Sequence, residues 1–491
     1  MRNVNLLGVV LAVILLVVLI YKRVSLIPAT LVCVVVLAMT NGMGFLELVM
    51  DHYAVSLSGF IGKYFLVFVT NALFGKIMEE TLLAATFSRM IGRAFGDKNG
   101  VYGAMLATAL LSFGGVSVFV IVFTVYPIFL ATFQKADLPR KLIPACIMSS
   151  SCTFPLSMLP GGAQLNNIIP AQYLGTSPMA AFPIGVVCSV LCMALLYRYF
   201  AWEFGKARQR GEHFDGDARI LERIARFQAD AGVSPWLSAL PLVLIIGLIN
   251  GLGMDLSYAV LCGCGLALVI GGKNLGREGN RAGDSGRDAE PPESSLQGNG
   301  GRSAASPESR LSADAGVSRQ SLTNRFQRCA DLIGRIRATT NAGLANVGAA
   351  MVTTAVSVGF GGAVLSCSGA SIILEAIASL PFVAPVLLAV AASFAGLLTG
   401  NGGGGCDVAM DLLSGQYLAM GIPPELLHRI VAMATASFSC LPHNGMLITI
   451  MDTCGYSARE AYKYIFVSTV VIGGVCLAVA VGMGSVMAGA M

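Results

Sequence analysis

Charge is scarce in this chain: Asp, Glu, Lys and Arg together make up 12% of its 491 residues, against 55% for hydrophobic types. A soluble protein of this length would need several domains and a charged fraction near about 25%, so a soluble architecture is excluded. Repeated apolar runs of about 20 residues, enough to cross a bilayer, indicate a polytopic membrane protein instead. Its 13 cysteines include no two CxxC units with partner histidines. Cys188, Cys192, Cys262 and Cys264 fall inside apolar runs, where Cys acts as a small hydrophobe. Neither HExxH nor a P-loop occurs, and no Ser-Lys or Asp pair is poised in adjacent spans. The expectation is therefore no cofactor, no metal and no enzymatic activity. A net charge of +5 speaks to membrane topology, not to nucleic acid.

What is present is a recurrence. Residues 139–162 read PRKLIPACIMSSSCTFPLSMLPGG, and residues 424–445 read PELLHRIVAMATASFSCLPHNG. Each copy has Leu three and Met nine positions after the first Pro, then a Ser/Thr/Cys cluster that ends in Leu-Pro and glycine. Helices should break at both places. Broken backbone at membrane depth is tolerated only where protein or a water-filled cavity covers it, and a pair of such interruptions in two halves of a chain marks a transporter's binding site.

Candidate spans are 5–21, 24–44, 57–78, 139–170, 180–204, 236–250, 256–272, 341–367, 424–453 and 461–488. The first is expected to be retained, because Lys22 and Arg23 follow it without a small-residue cleavage site. Two further apolar stretches, 101–133 and 381–420, are interrupted by Gly114 and Gly115 and by Gly400 to Gly405, and read as re-entrant hairpins whose tips protein must cover. The fold class is thus an all-α polytopic membrane protein: an inverted repeat of about 5+5 transmembrane helices with two re-entrant hairpins and two broken helices. The first repeat is 1–204, a cytoplasmic connector 205–235, and the second repeat 236–491 with a flexible cytoplasmic insert at 273–340. Within that insert, 276–319 is too poor in large apolar residues to fold. Ile220, Ile224 and Phe227 give 203–234 the spacing of a helix lying along the membrane surface.

Charge placement tests this topology. With both termini outside, the basic segments 22–23, 89–98, 135–141, 206–226, 273–337 and 459–463 fall in the cytoplasm, and Glu47 and Asp51 fall outside, as the positive-inside rule requires.

Candidate binding residues in the first half are Gly114, Gly115 and Ser117 at the hairpin tip, with Ser149, Ser150, Ser151, Thr153, Gly161, Gly162, Gln164, Asn166 and Asn167 at the break. The second half offers Thr399, Gly400 and Asn401 at its tip, and Ser437, Ser439, Pro442, His443, Asn444 and Gly445 at its break. Most are neutral, yet freed amides at a half-helix N-terminus can hold a carboxylate without a buried cation. Asp407 and His443 are proton-coupling candidates, since an ionisable group at mid-bilayer needs a partner or a role. Asp411 and Asp452 read as interfacial groups near helix ends, and Lys76 with Glu79 and Glu80 as a structural pairing.

FGGVSVFVIVFTVYPIFLA, LIPACIMSSSCTFPLSMLPGGAQLNNIIPAQYLGTSP, IPPELLHRIVAMATASFSCLPHNGMLITI and GYSAREAYKYI together resemble the gluconate permease (GntP) family of proton symporters, in particular its hydroxybutyrate-permease-like branch within the ion transporter superfamily. The resemblance implies a homodimeric carrier of the bacterial cytoplasmic (inner) membrane that takes up small hydroxylated carboxylates by an elevator motion. Asp407 near the second tip, and the absence of an acidic residue near the first, depart from gluconate-transporting members. The apolar flank 116–122 suits a shorter acid such as 3-hydroxybutyrate. The functional expectation is proton-coupled uptake of a small organic monocarboxylate, gluconate or 3-hydroxybutyrate. Sodium coupling through Asn401, Asn444 and freed carbonyls is the alternative, ahead of a passive anion channel, which would show rings of Arg or Lys.

Overall fold

The computed structural model describes residues 2–22, 24–218, 220–222, 224, 234–275 and 310–489, and every element in it is helical. In the first half α1 (Arg2–Tyr21), α2 (Leu26–Asn41) and α3 (Phe45–Glu80, with a π turn at Leu48–Tyr53) are followed by the short α4 (Leu83–Ala94). A hairpin of α5 (Gly96–Phe113) and α6 (Val118–Ala136) comes next, then the broken pair α7 (Ile143–Cys152) and α8 (Leu165–Leu174), and α9 (Phe182–Gln209). The second half repeats the order. It comprises α10 (Pro235–Leu252), α11 (Leu256–Gly271), α12 (Arg310–Ser366), α13 (Ser368–Ala378), the hairpin α14 (Ala384–Thr399) and α15 (Gly402–Ala419), the broken pair α16 (Pro424–Phe438) and α17 (Gly445–Cys454), and α18 (Ala458–Met487).

Packing is reciprocal between the halves. α1 lies on α13 as α10 lies on α4; α2 lies on α12 as α11 lies on α3; α8 meets α15 as α17 meets α6. α3 packs on α12, and α9 on α18. Such exchange of equivalent partners is what a two-fold relation between repeats produces, and the architecture is the inverted-repeat all-α membrane fold expected from the sequence. Two groups of helices result: α1, α2, α3 and α10 to α13 on one side, and the hairpins, broken pairs, α9 and α18 on the other.

Several expectations need correction. The third span starts at Phe45 rather than 57, so Glu47 and Asp51 lie within its first turns. The two short helices α4 and α13 were not anticipated; α13 turns away from the last part of α12 by 79°. Part of the expected flexible insert, Arg310 onward, belongs to α12, whose N-terminal extension is tied to the end of α11 by Arg335 Nη1 donating to Leu275 O at 3.1 Å. The central part of that insert lies outside the described residues. In the connector the chain turns at Gly211 and becomes helical from 218, with Ile224 buried; Phe227 lies outside the described residues. Asp452 is exposed in the last turn of α17, but Asp411 is exposed in the middle of α15 rather than near its end.

Candidate functional site

Both breaks arise from local backbone chemistry. After α7, Thr153 adopts φ −109°, ψ −107°, a π turn spans Phe154–Met158, and Gly161 sits at φ +83°. Pro155 and Pro160 each lack an N–H, and together with Gly161 in the left-handed region they keep the helix from continuing here. In the second half α16 stops at Phe438, and Pro442 prevents resumption until Asn444 caps α17, its Oδ1 accepting from Met446 N at 2.8 Å and Leu447 N at 3.0 Å.

The hairpin tips lie against these breaks. Gly115, at φ +92°, turns the first tip; a Cβ there would come within 3.1 Å of Ala163 Cβ. Ala163 N donates to Phe113 O at 3.1 Å, and Gln164 Nε2 donates to Ser112 O, so tip and break are joined through backbone. The second tip is only Gly400 and Asn401, because Gly402 to Gly405 form the first turn of α15 rather than a loop. A Cβ on Gly402 would stand 3.0 Å from Asn166 Oδ1 and 3.4 Å from Ser439 Oγ. The second tip therefore touches both breaks.

Between them lies a cavity of about 100 Å³, well above the roughly 10–15 Å³ one water needs. Gly115, Ser117 and Val118 line it from the first hairpin, Gln164, Leu165 and Asn166 from the first break, and Asn401, Gly402 and Gly403 from the second hairpin. Met446 reaches it from the second break, Val67, Phe68 and Asn71 from α3, and Thr354 from α12. Among the described residues no ionised side chain lines it. Three helix N-termini open onto it, and they differ. Asn401 caps α15, its Oδ1 accepting from Gly404 N at 3.0 Å while its Nδ2 donates to Thr354 Oγ1 at 3.0 Å. Ser117 and Gln164, at the N-caps of α6 and α8, make no side-chain cap bond. The first-turn amides of α6, and those of Leu165 and Asn166 in α8, are thus the ones left for a ligand, while Asn167 N donates to Gln164 O at 2.9 Å.

Of the candidate residues, the structure brings Gly115, Ser117, Gln164, Asn166 and Asn401 to this cavity and leaves the others behind it. Ser149, Ser150, Ser151 and Thr153 donate to carbonyls of α7 itself, at 3.2, 2.6, 2.7 and 2.5 Å. Mid-helix hydroxyls commonly satisfy themselves this way. Gly114 faces Leu242, Gly161 faces Asn250, Gly162 faces Phe113, and Gly445 faces Thr353. Thr399 and Ser439 donate to their own helices, and Ser437 lies against Gly473. Asn167 donates to Gly162 O and Pro178 O at 3.1 and 3.0 Å. His443 is 2% exposed and lies directly against Gly400; its Nε2 is 3.1 Å from Leu397 O and its Nδ1 has no partner among the described residues. Asp407 is not at the cavity. It sits in the second turn of α15, held by Lys63, Tyr64 and Tyr173. Lys76 pairs with Glu79 at 3.3 Å and Glu80 at 3.1 Å, as expected.

Sequence reasoning missed Asn71 and Thr354, which belong to spans read as plain lipid-crossing helices. It also missed Arg429, although that residue lies inside the repeated motif. Arg429 is 0% exposed. Its Nε donates to Ala180 O at 3.2 Å, Nη1 to Ser157 O at 2.8 Å and Asn167 Oδ1 at 3.2 Å, and Nη2 to Ala180 O at 2.8 Å and Pro178 O at 3.3 Å. These five donations tie α16 to the first break and to the loop between α8 and α9. His428 adds to them, with Nε2 3.1 Å from Asn167 Oδ1 and Nδ1 2.8 Å from Thr176 Oγ1. The equivalent position in the first copy is Pro144, so the halves are chemically unequal here.

Comparison with known proteins bears on the family and the fold. An uncharacterized transporter of Bacillus subtilis (strain 168), YxjC, is 29% identical over 437 residues, covering 84% of this chain and 85% of its own. The crystal structure of the Alcanivorax borkumensis YdaH transporter, described as having an unusual topology, superposes with a TM-score of 0.50 over 89% of this chain and 87% of its own at 14% identity, which speaks to fold alone. The model of the GntP family permease matches residues 4–250. A match across half of the sequence, over a chain folded as a polytopic helical carrier, shows that the protein belongs to the GntP permease family, secondary transporters of small organic anions.

Proposed function

We propose that the protein takes up a small organic hydroxymonocarboxylate by proton symport, binding the anion in the cavity between the two hairpin tips and the two breaks. One observation carries the reading: the uncapped starts of α6 and α8 open onto a cavity that, among the described residues, no ionised side chain lines. Each such terminus presents about half a positive charge, and two of them supply the field a carboxylate needs. Asn166 and Asn401 offer side-chain partners for a hydroxyl, while Val67, Phe68, Val118 and Met446 form an apolar wall. That balance favours a short acid such as 3-hydroxybutyrate over the fully hydroxylated gluconate.

The helices group in a way that supports an elevator-type motion. The hairpins and broken pairs pack on one another, and few polar bonds tie them to α3, α10 and α12. The setting is the bacterial cytoplasmic membrane, with both termini outside, repeats at 1–204 and 236–491, and a dimer as the working unit. The test is uptake of labelled 3-hydroxybutyrate and gluconate into proteoliposomes under an imposed pH gradient. Saturable accumulation of the shorter acid that a protonophore abolishes is expected. Uptake that ignores the protonophore but needs sodium would replace the coupling ion, and uptake without saturation or counterflow would replace the carrier by a channel.

A further inference from the structure

Asp407 stands apart from the other carboxylates because everything that holds it belongs to another element. Tyr64 Oη donates to its Oδ1 at 2.6 Å, Lys63 Nζ at 3.1 Å and Tyr173 Oη at 3.2 Å. Lys63 Nζ also lies 3.8 Å from the centre of the Tyr173 ring. Lys63 and Tyr64 come from α3, Tyr173 from α8 and Asp407 from α15. All three donors converge on Oδ1, and Oδ2 takes no protein donor among the described residues. The side chains are 14% exposed for Asp407 and 39% for Lys63. Asp411, one turn further along α15, is the other carboxylate near the cluster, and Cys406 is the neighbouring thiol. From α12, α14 and α16, which also pack on α15, no ion pair reaches Asp407 among the described residues.

We infer that Asp407 is the proton site of transport and that Lys63 is its positioning counter-ion, an ion pair across the boundary between the two helix groups that protonation dissolves. The inference rests on the proton-coupled reading above and adds which atom takes the proton and how many protons enter. The proton adds to Oδ2, the oxygen no donor occupies, and the carboxylate becomes a neutral acid. Lys63 then keeps its charge in its partly open position, and the attraction holding α15 to α3 falls from an ion pair to a bond from an ammonium to a neutral acid, beside the neutral bonds from Tyr64 and Tyr173. His443, the other titratable candidate, is a poorer carrier: charging it would place a cation between Leu397 O and Gly400 with no counter-ion.

Charge conservation follows. The empty moving group carries the Asp407 carboxylate, and the loaded group carries a neutral Asp407 plus one monoanion, so both forms have the same net charge. One proton therefore enters per monoanion, and the cycle is electroneutral. A pH difference of one unit then supports an accumulation of about tenfold, and membrane potential adds nothing.

The experiment compares wild type, D407N and D407E in proteoliposomes, measuring counterflow of labelled 3-hydroxybutyrate and its accumulation under an imposed pH gradient. D407N is expected to keep counterflow and lose the tenfold accumulation, and D407E to recover part of it. D407N that accumulates as wild type does would overturn the assignment while leaving proton symport intact. Wild type showing counterflow but no response to the pH gradient would defeat the proton-coupled reading itself. Should D407N fail to insert, wild type decides alone: a potassium-diffusion potential leaves accumulation unchanged if one proton accompanies each anion, and a potential-dependent rise overturns the single-site assignment.

Discussion

Gly402 and Arg429 show how single residues set the cavity's walls. The first turn of α15 passes so close to the first break that a methyl group at Gly402 would meet Asn166, which itself donates to Thr435 Oγ1 at 3.2 Å. G402A should therefore lift the second tip and lower uptake by about tenfold or more, as small misplacements at a binding centre do, with membrane insertion unchanged on a blot. Arg429 acts from behind. Removing it strands carbonyls at Ser157 and Ala180, each costing about 1–3 kcal/mol when left buried and unpaired, while Pro178 O keeps Asn167 Nδ2 and Gly161 N as donors. R429A should lower the melting temperature of the detergent-solubilised protein and R429K should do so less, since lysine lacks the fork that spans those acceptors. H443A removes the ring packed against Gly400 and should depress transport with insertion intact; wild-type uptake in that variant would separate the second break from the site.

At the scale of elements, the two kinds of helix start are the informative contrast. α15 and α17 carry asparagine caps, whereas α6 and α8 do not. Capping asparagines satisfy the amides that a ligand would otherwise take, which is why the proposed anion site is placed at the first-half termini. The connector is a second case. His213 Nδ1 lies 2.6 Å from Asp137 Oδ2, Phe214 N donates to Asp137 Oδ1 at 3.0 Å, and Lys141 Nζ meets Glu212 at 2.7 Å. The Phe214 amide, followed by His213, holds the Asp137 carboxyl below its ordinary range. A lowered carboxyl contributes above its unfolded value and ceases to contribute as pH falls through the folded one. Protease protection of the connector should therefore persist at neutral pH and fade below about pH 4, and D137N should lose it at neutral pH.

For the whole molecule, the question is whether the two helix groups move against each other. Thr354 on α12 and Asn401 at the second tip bond across the boundary at 3.0 Å. A T354C/N401C variant should lose on oxidation to a disulfide whatever counterflow its reduced form keeps, and regain that level on reduction. Full counterflow in the crosslinked protein would show that the groups do not have to part.

Much of this plan was legible in the chain itself. Low charge and long apolar runs dictate a membrane protein, because hydrocarbon admits little else; Pro155, Pro160 and Pro442, with glycines nearby, favour broken helices, because an imino acid removes a donor from the helical ladder, although Pro127, Pro170 and Pro241 are carried inside continuous helices. The repeated motif located both breaks for the same reason. Tertiary structure decided which polar groups face the cavity. Ser149, Ser150, Ser151 and Thr153 looked like ligands but are satisfied within α7, whereas Asn71 and Thr354, in spans that read as ordinary, line the cavity. It also decided that Asp407 faces Lys63, 344 positions away, and that Arg429 serves the other half's break. A helix's sequence specifies its ends and its apolar content; which face meets a partner depends on how the two repeats cross, and that crossing is a property of the assembled chain.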